Sequence, residues 1–190
     1  RSNFMHADNW AQKAKEKGYR SRAVFKLEEI LKKTKTINYS NVLDLGSSPG
    51  GWSEYMIKKY PTSNVYAIDL IDMEPIEGVT FFKDSIENLY NLEEISKLKG
   101  CFKLVISDIA PNLSGISAVD SENILNLNML TVNIAKDFLD SSGSMIMKTF
   151  LNSNFKTLRK NMELSFKLVQ TYKPAASKKQ SGEIYLYGVK

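Results

Sequence analysis

Two ionisable residues stand where short apolar runs end. Asp108 follows the run Lys103–Ser107, in Ser107-Asp108-Ile109-Ala110-Pro111-Asn112, and Lys148 closes the next, in Met145-Ile146-Met147-Lys148-Thr149-Phe150. An amine at the end of an apolar strand is costly unless it reaches solvent or a carboxylate, and an acid ending the neighbouring strand is a natural partner. Sharing one crevice, such a pair can orient a hydroxyl and manage its proton. Taken singly, Lys148 also reads as a lysine snorkelling to the surface and Asp108 as a loop cap. His6 is the only histidine and Cys101 the only cysteine. That removes Ser-His-Asp and Cys-His mechanisms, thiolate zinc clusters and intrachain disulfides, and it suits a reducing compartment. Acid/base work must fall to Lys, Asp, Glu or Tyr. Cys101 itself, placed ahead of its strand, is expected to pack in the interior.

A second group of residues suggests a ligand. In Val42-Leu43-Asp44-Leu45-Gly46-Ser47-Ser48-Pro49-Gly50-Gly51-Trp52 an apolar strand runs into a loop of small residues and then a helix. Gly46, Gly50 and Gly51 are expected to let the backbone approach a ligand without Cβ clashes. The glycine spacing differs from the G-x-G-x-x-G that cradles a pyrophosphate. Asp69, 25 residues beyond Asp44, ends the next strand, where a carboxylate can accept hydrogen bonds from ribose hydroxyls, and Asp84 ends the third, in reach of an adenine amino group. This is adenosine chemistry without a phosphate cradle. The plainer alternative is a tight turn with two solvent-facing strand ends.

These residues need a scaffold, and the chain reads as strands alternating with helices. Val/Ile/Leu-rich runs fall at Asn41–Leu45, Val65–Leu70, Val79–Phe82, Lys103–Ser107, Ser144–Met147, Lys167–Thr171 and Ile184–Val189. From about Ser21 to Lys33, Ala23, Val24, Leu27, Ile30 and Leu31 make one apolar helical face, with Lys26 beside it. Trp52–Tyr60 is a helix stopped by Pro61, and Glu122–Phe138 carries Ile124, Leu127, Leu130, Ile134 and Phe138 at helical spacing. Several strands are apolar on both faces, as burial between two helical layers demands, so a doubly wound α/β sheet follows. At 190 residues, 43% hydrophobic and 25% charged, with no linker or repeat, the chain is expected to form one soluble domain spanning 1–190. Its apolar runs are strand-sized, so no membrane span is expected.

Charge is unevenly spread. Residues 1–35 hold 10 Lys/Arg against 4 Asp/Glu and residues 151–180 hold 7 against 1, while 36–150 has 8 against 15. Two basic segments around an acidic middle suit a polyanionic partner, although a solvated basic surface is the plainer reading of either. The chain opens on Arg1, so it is read as trimmed, with any leader lost, and its compartment is left open between cytoplasm, nucleolus and an organelle.

The pattern D-x-G-x-x-x-G followed by an acidic strand end resembles class I S-adenosylmethionine methyltransferases. More specifically, Gly18-Tyr19-Arg20-Ser21-Arg22-Ala23-Val24-Phe25-Lys26-Leu27, the Asp44 to Trp52 loop, Ser107 to Asn112 with Ser114-Gly115, Met147 to Phe150, and Lys173 to Glu183 occur in order across nearly the whole chain. Together they resemble the RrmJ/FtsJ family of RNA ribose 2′-O-methyltransferases. The resemblance implies a Rossmann-like fold with a seven-stranded, mostly parallel sheet and helices on both faces. Residues 1–35 would supply a basic segment and the first helix packed on that domain. It implies S-adenosyl-L-methionine as cofactor, contacted by Gly46, Gly50, Trp52, Asp69, Asp84 and Asp108. It also implies a catalytic tetrad of Lys26, Asp108, Lys148 and Glu183, with no metal. Ser47-Ser48 stands where many relatives carry alanines.

Such a set fits the reaction. A ribose hydroxyl is a poor nucleophile until its proton has somewhere to go. A second cation near Lys148 would lower its pKa while Asp108 opposes the shift, leaving Lys148 either a base or a stabiliser of the oxyanion. Lys26 would be that cation, and Glu183 would position Lys26 or the ribose. Base methylation is disfavoured, because Asp108-Ile109-Ala110-Pro111 lacks the Asn/Asp-Pro-Pro-aromatic turn of amino-directed enzymes. The expected partner is RNA, a uridine of large-subunit ribosomal RNA or a ribosomal particle, with transfer RNA or an inactive RNA-binding scaffold as alternatives and a monomer as the working form. Lys13, Lys15, Lys17, Arg20 and Arg22, and then Lys173, Lys178 and Lys179, would meet phosphates. Trp10, Tyr19 and Phe25 would stack on bases or pack in the core, and Pro174-Ala175-Ala176-Ser177 would be a mobile loop closing on substrate.

Overall fold

The computed structural model describes residues 2–35 and 38–190, with backbone alone for 2–8. Arg1 and the His6 side chain lie outside that description. Thirteen α and β elements follow in order: α1 Ser2–Glu16, α2 Val24–Thr34, β1 Asn41–Leu45, α3 Gly51–Lys59, β2 Asn64–Asp69, β3 Val79–Lys83, α4 Glu93–Ser96, β4 Phe102–Ser107, α5 Ser117–Phe138, β5 Leu139–Phe150, α6 Phe155–Glu163, β6 Leu168–Tyr172 and β7 Glu183–Val189. The strands form one sheet in the order β3-β2-β1-β4-β5-β7-β6. The first five run parallel to their neighbours, and β7 runs antiparallel to both β5 and β6. This is the doubly wound, mostly parallel seven-stranded sheet expected.

Strand alternation sorts the core into two layers. On one face Leu43, Leu45, Val105, Met145, Met147 and Leu186 meet Val132, Ala135 and Phe138 of α5 and Leu158 and Met162 of α6. On the other, Val42, Leu104, Ile106, Ile146, Tyr185 and Tyr187 meet Val24, Leu27, Ile30 and Leu31 of α2 and Trp52, Tyr55 and Met56 of α3. Each of the four α2 side chains contributes roughly 1.5–3 kcal/mol by leaving water, so α2 is fixed on this face by packing. Lys26 is held there too, only 9% exposed. It lies inside the buried surface rather than beside it.

The same alternation places the chemistry. Asp108 continues the series Leu104, Ile106; Lys148 follows Ile146 by two; Glu183 precedes Tyr185 by two. All three therefore belong to the α2/α3 face at one edge of the sheet. In the register of β5 and β7, Lys148 lies opposite Tyr185 and Phe150 opposite Glu183.

Several expectations need correction. Strand β5 begins at Leu139, five residues before the apolar run Ser144–Met147, because Leu139 pairs with Phe102 across a shift in register. Helix α5 starts at Ser117, where the carboxylate of Asp120 accepts from the Ser114 amide and hydroxyl at 2.7 Å each and from the Gly115 amide at 3.2 Å. Helices α1 and α6 arise in segments read only as basic. Cys101 is exposed instead of packed, its thiol directed at the Lys99 carbonyl in the turn before β4. Among the described residues no helix is long and apolar enough to cross a membrane.

Candidate active site

The loop after β1 is stapled to the end of β2. The amides of Gly46 and Ser47 donate to the Ile68 carbonyl at 2.8 and 3.1 Å. Asp69 accepts from the amides of Ser48 at 2.8 Å and Ile71 at 2.9 Å, and the Ser48 hydroxyl donates to the Ile71 carbonyl at 2.7 Å. Gly46 and Gly50 have φ of 71° and 112°, a region that disfavours a Cβ. The space a side chain would need is filled by protein: a Cβ on Gly46 would fall 2.0 Å from Ile109, and one on Gly50 would fall 2.9 Å from both Met73 and Ile76. Both positions therefore require glycine for chain conformation and packing, and Gly46 also lines the cleft beside the loop.

Beside the loop opens a cleft whose lining includes Ser21, Asp44, Gly46, Ser47, Trp52 and Asp108. Asp44 is buried in its wall and accepts from the Ser53 hydroxyl at 2.7 Å. Burial pushes its carboxyl up to about 7, in spite of that hydrogen bond and with help from the charges of Asp108 and Asp69. The Ser47 hydroxyl is buried with no hydrogen-bond partner. A half-ionised acid and an orphaned hydroxyl are what a cationic, hydrogen-bonding ligand would satisfy, so the cleft fits the amino-acid end of S-adenosylmethionine.

The other expected contacts are placed unevenly. Asp69 borders Ser48 of the cleft wall, its Oδ2 accepting from the Ser48 amide and its Oδ1 from the Ile71 amide just after β2. Asp84 directs its carboxylate into the following turn, accepting from the Ser85 amide at 2.7 Å and from Asn88 at 3.0 Å. Trp52 is largely buried, its indole donating to the Ala23 carbonyl at 2.8 Å and its ring 5.9 Å from that of Tyr185. Much of its role is packing between α2 and the sheet.

Adjoining the cleft, Lys26, Asp108, Lys148 and Glu183 come together as two amine–carboxylate pairs. Lys26 Nζ lies 2.7 Å from Glu183 Oε1, and Lys148 Nζ lies 3.6 Å from Asp108 Oδ1. Between the pairs stands a residue the sequence reading missed. The Tyr185 hydroxyl donates to Asp108 Oδ1 at 2.6 Å and lies 3.2 Å from Glu183 Oε1. Burial, then the charges of those two acids, hold its pKa far above the ordinary phenol value, so it remains a donor. Burial pushes the Asp108 carboxyl up against the opposing pull of Lys148, Tyr185 and Lys26. For Glu183 burial acts the same way, but the bond and charge of Lys26, with Lys148 and Tyr185, bring the carboxyl below its usual value. Ser177 also donates to Glu183 at 3.2 Å, and the Lys173 ammonium caps the Glu183 carbonyl. Because Glu183 neutralises Lys26, Lys26 cannot act on Lys148 as a bare neighbouring cation.

Lys148 has a second unanticipated partner. Beyond the pairing of Ser107 with Met147, β4 leaves the sheet while β5 continues. Asn128 of α5 reaches in, donating to the Lys148 carbonyl at 3.0 Å and accepting from the Thr149 hydroxyl at 2.7 Å. A polar residue in the buried stripe Ile124, Asn128, Thr131, Ala135 was its available signal. For Tyr185 it was the two-residue spacing from Glu183 on one strand face.

The basic segments also resolve. Phe25 is buried, with the rings of Trp10 at 5.2 Å and Tyr19 at 5.8 Å, in a small core with Ala14 and Ala176. Phe25 is thus a packing residue that fastens α1 to α2, unavailable for stacking on bases. The stretch expected as a mobile lid is packed: Pro174, Ala176 and Ser177 are buried and the Ala175 amide donates to Glu29. Lys13 lies over the rings of Trp10 and Phe25, whereas Lys15, Lys178 and Lys179 are exposed.

Residues 19–190 match the family described as FtsJ-like methyltransferase. The Ribosomal RNA large subunit methyltransferase E of Wigglesworthia glossinidia brevipalpis is 38% identical over 186 residues, covering 97% of this chain and 92% of that one. The protein of the same name from Methanothrix thermoacetophila is 39% identical over 185 residues, covering 96% and 72%. A crystal structure of a ribosomal RNA methyltransferase from Plasmodium falciparum superposes with a TM-score of 0.79 at 29% identity, covering 90% of this chain and 97% of that one.

Proposed function

The chain belongs to the FtsJ-like methyltransferase family, and on that footing we propose that it methylates a ribose 2′-hydroxyl of RNA with S-adenosylmethionine, its substrate a uridine of large-subunit ribosomal RNA. One observation carries the reaction type: two amine–carboxylate pairs, joined by Tyr185, share one sheet face beside a cleft whose wall holds a buried acid and an orphaned hydroxyl. The names of the relatives carry the choice of RNA.

Asp44 and Ser47 would hold the amino-acid end of the donor, Asp69 its ribose, and Trp52 the floor of the cleft. Asp84, whose two accepted hydrogen bonds both fall on Oδ1, would offer its other oxygen to the adenine amino group. When bound, the donor supplies a methyl group on a positively charged sulfur. Lys148 holds the acceptor hydroxyl and stabilises the negative charge that grows on its oxygen. Asp108, whose proton affinity burial has raised, is suited to take the departing proton, and Tyr185 steadies that carboxylate. Lys26 and Glu183 neutralise each other and form the opposite wall, where the sugar is aligned. Alignment of this kind can supply about 7–11 kcal/mol of the barrier reduction. All four residues come from one chain, three from the ends of sheet strands and Lys26 from helix α2 packed on that sheet, so we read residues 1–190 as one methyltransferase domain acting as a monomer.

The test is methyl transfer from labelled donor to large ribosomal subunits, ribosomal RNA and transfer RNA prepared from cells lacking this protein, followed by mapping of 2′-O-methylated positions. Label on one large-subunit ribose is expected. Bound donor without transfer to any RNA would sink the proposal.

A further inference from the structure

Arg20 lies among the N-terminal cations that a polyanion would attract, yet its guanidinium is turned inward. Nε donates to Glu54 Oε2 at 3.3 Å, Nη1 to the carbonyls of Pro49 at 3.0 Å and Glu74 at 2.8 Å, and Nη2 to the carbonyl of Pro75 at 3.2 Å. These acceptors lie on three pieces of chain: the glycine loop, the first turns of α3, and the stretch between β2 and β3. A Cβ on Gly50 would fall 3.2 Å from Nη1, so the guanidinium packs directly against that glycine. Only a planar fork with several N–H groups can reach all four acceptors at once; a lysine ammonium, a point donor, cannot.

The position of the clamp matters for the cleft. Ser48, Pro49 and Gly51 form part of its wall. Ser48 already ties that wall to the chain after β2, through Asp69 and the Ile71 carbonyl. Arg20 ties its far side, at Pro49, to Glu74 and Pro75. The loop is thereby fixed at both ends of the same short wall before any ligand arrives.

Resting on the donor-binding reading above, we infer that Arg20 is a positioning residue for the methyl-donor cleft and not a phosphate contact for RNA. A wall fixed in advance binds its ligand without the cost of ordering it. Loss of the fork frees the Pro49–Gly50 turn and weakens donor binding.

The test uses the full chain with Arg20→Met and Arg20→Lys. S-adenosylhomocysteine is titrated calorimetrically, and a large-subunit ribosomal RNA fragment is titrated by anisotropy across several salt concentrations. Arg20→Met is expected to weaken S-adenosylhomocysteine by ~10-fold, the scale of one or two lost charge-assisted hydrogen bonds. In steady state the KM for S-adenosylmethionine rises by more than kcat falls, and the salt dependence of RNA binding keeps its slope. Arg20→Lys keeps the charge and is expected to behave like Arg20→Met; it carries the test alone should Arg20→Met not fold. Unchanged S-adenosylhomocysteine affinity in both variants would overturn the inference, as would a fall of about one in the salt slope, the mark of a lost phosphate contact. Failure of the unsubstituted chain to bind S-adenosylhomocysteine would instead strike at the donor reading itself.

Discussion

Burial lifts the Asp44 carboxyl to about 7, so at neutral pH the acid is divided between its two forms. Between about pH 4 and 7 the folded protein keeps a proton that the unfolded chain has released. This group's contribution to stability therefore falls as pH rises through that window and is level above it. Melting temperatures of the unsubstituted protein and Asp44→Asn should diverge across the window, the former losing ground as pH rises. A ligand ammonium beside Asp44 favours the ionised form, so S-adenosylhomocysteine should bind more tightly as pH approaches 7 in the unsubstituted protein and without that trend in Asp44→Asn, measured by calorimetry. Lys148→Ala should lower kcat by about 100-fold or more, the scale of one lost oxyanion stabiliser, while S-adenosylhomocysteine still binds. Retention of the normal rate would remove Lys148 from the chemistry. At this scale the residue types and strand ends made Asp108 and Lys148 legible, and the family resemblance supplied Lys26 and Glu183. The link between Glu183 and Lys26 was among the expectations; what went unread was that it would cancel Lys26 as a free cation beside Lys148, and that Tyr185 would sit between two acids, both of which depend on how β7 meets β5.

Among the elements, the end of β4 governs the site more than its beginning. Once β4 turns away after Ser107, the carbonyl of Lys148 is served by a helix side chain, Asn128. Asn128→Ala leaves that carbonyl and the Thr149 hydroxyl unpartnered in a buried setting and should cost about 1–3 kcal/mol in denaturant unfolding. Replacing Asn128 and Thr149 together by valine removes two of the three polar groups and should cost less than Asn128→Val alone. Helix α1 depends on Phe25: Phe25→Ala should lose several kcal/mol of local packing, expose Trp10 to water with a red-shifted emission, and open Lys13, Lys15 and Lys17 to trypsin. The strands were readable because buried parallel strands are short apolar runs, and each of the seven overlaps its expected range. Helices α1 and α6 were not, because their polar residues dominate and few of their positions are apolar and buried: Ala14 in α1, against Phe25 and the distant Ala176, and Leu158 and Met162 in α6.

For the whole molecule, charge and architecture were both legible in outline, but the destination of individual cations was not. Two basic segments, each with six more Lys/Arg than Asp/Glu, around an acidic middle suited a polyanionic partner. Folding then assigns Arg20 to the donor loop, Lys26 to Glu183 and Lys173 to the backbone before β7, and leaves Lys15, Lys178 and Lys179 in water. Replacing each of these three exposed lysines by alanine should weaken RNA binding and reduce its salt slope by about one apiece, with little effect on S-adenosylhomocysteine. Unchanged slopes would move the RNA to another surface.

The bond between Lys26 and Glu183 spans 157 positions of the chain. Contacts of such separation close only after the intervening strands have assembled, since the entropy of joining distant segments must be met by native structure already in place. A chain in which β7 has not yet joined β5 lacks one wall of the tetrad. Turnover should therefore report complete folding: the fraction of a preparation that transfers methyl groups counts the molecules whose two distant segments have met.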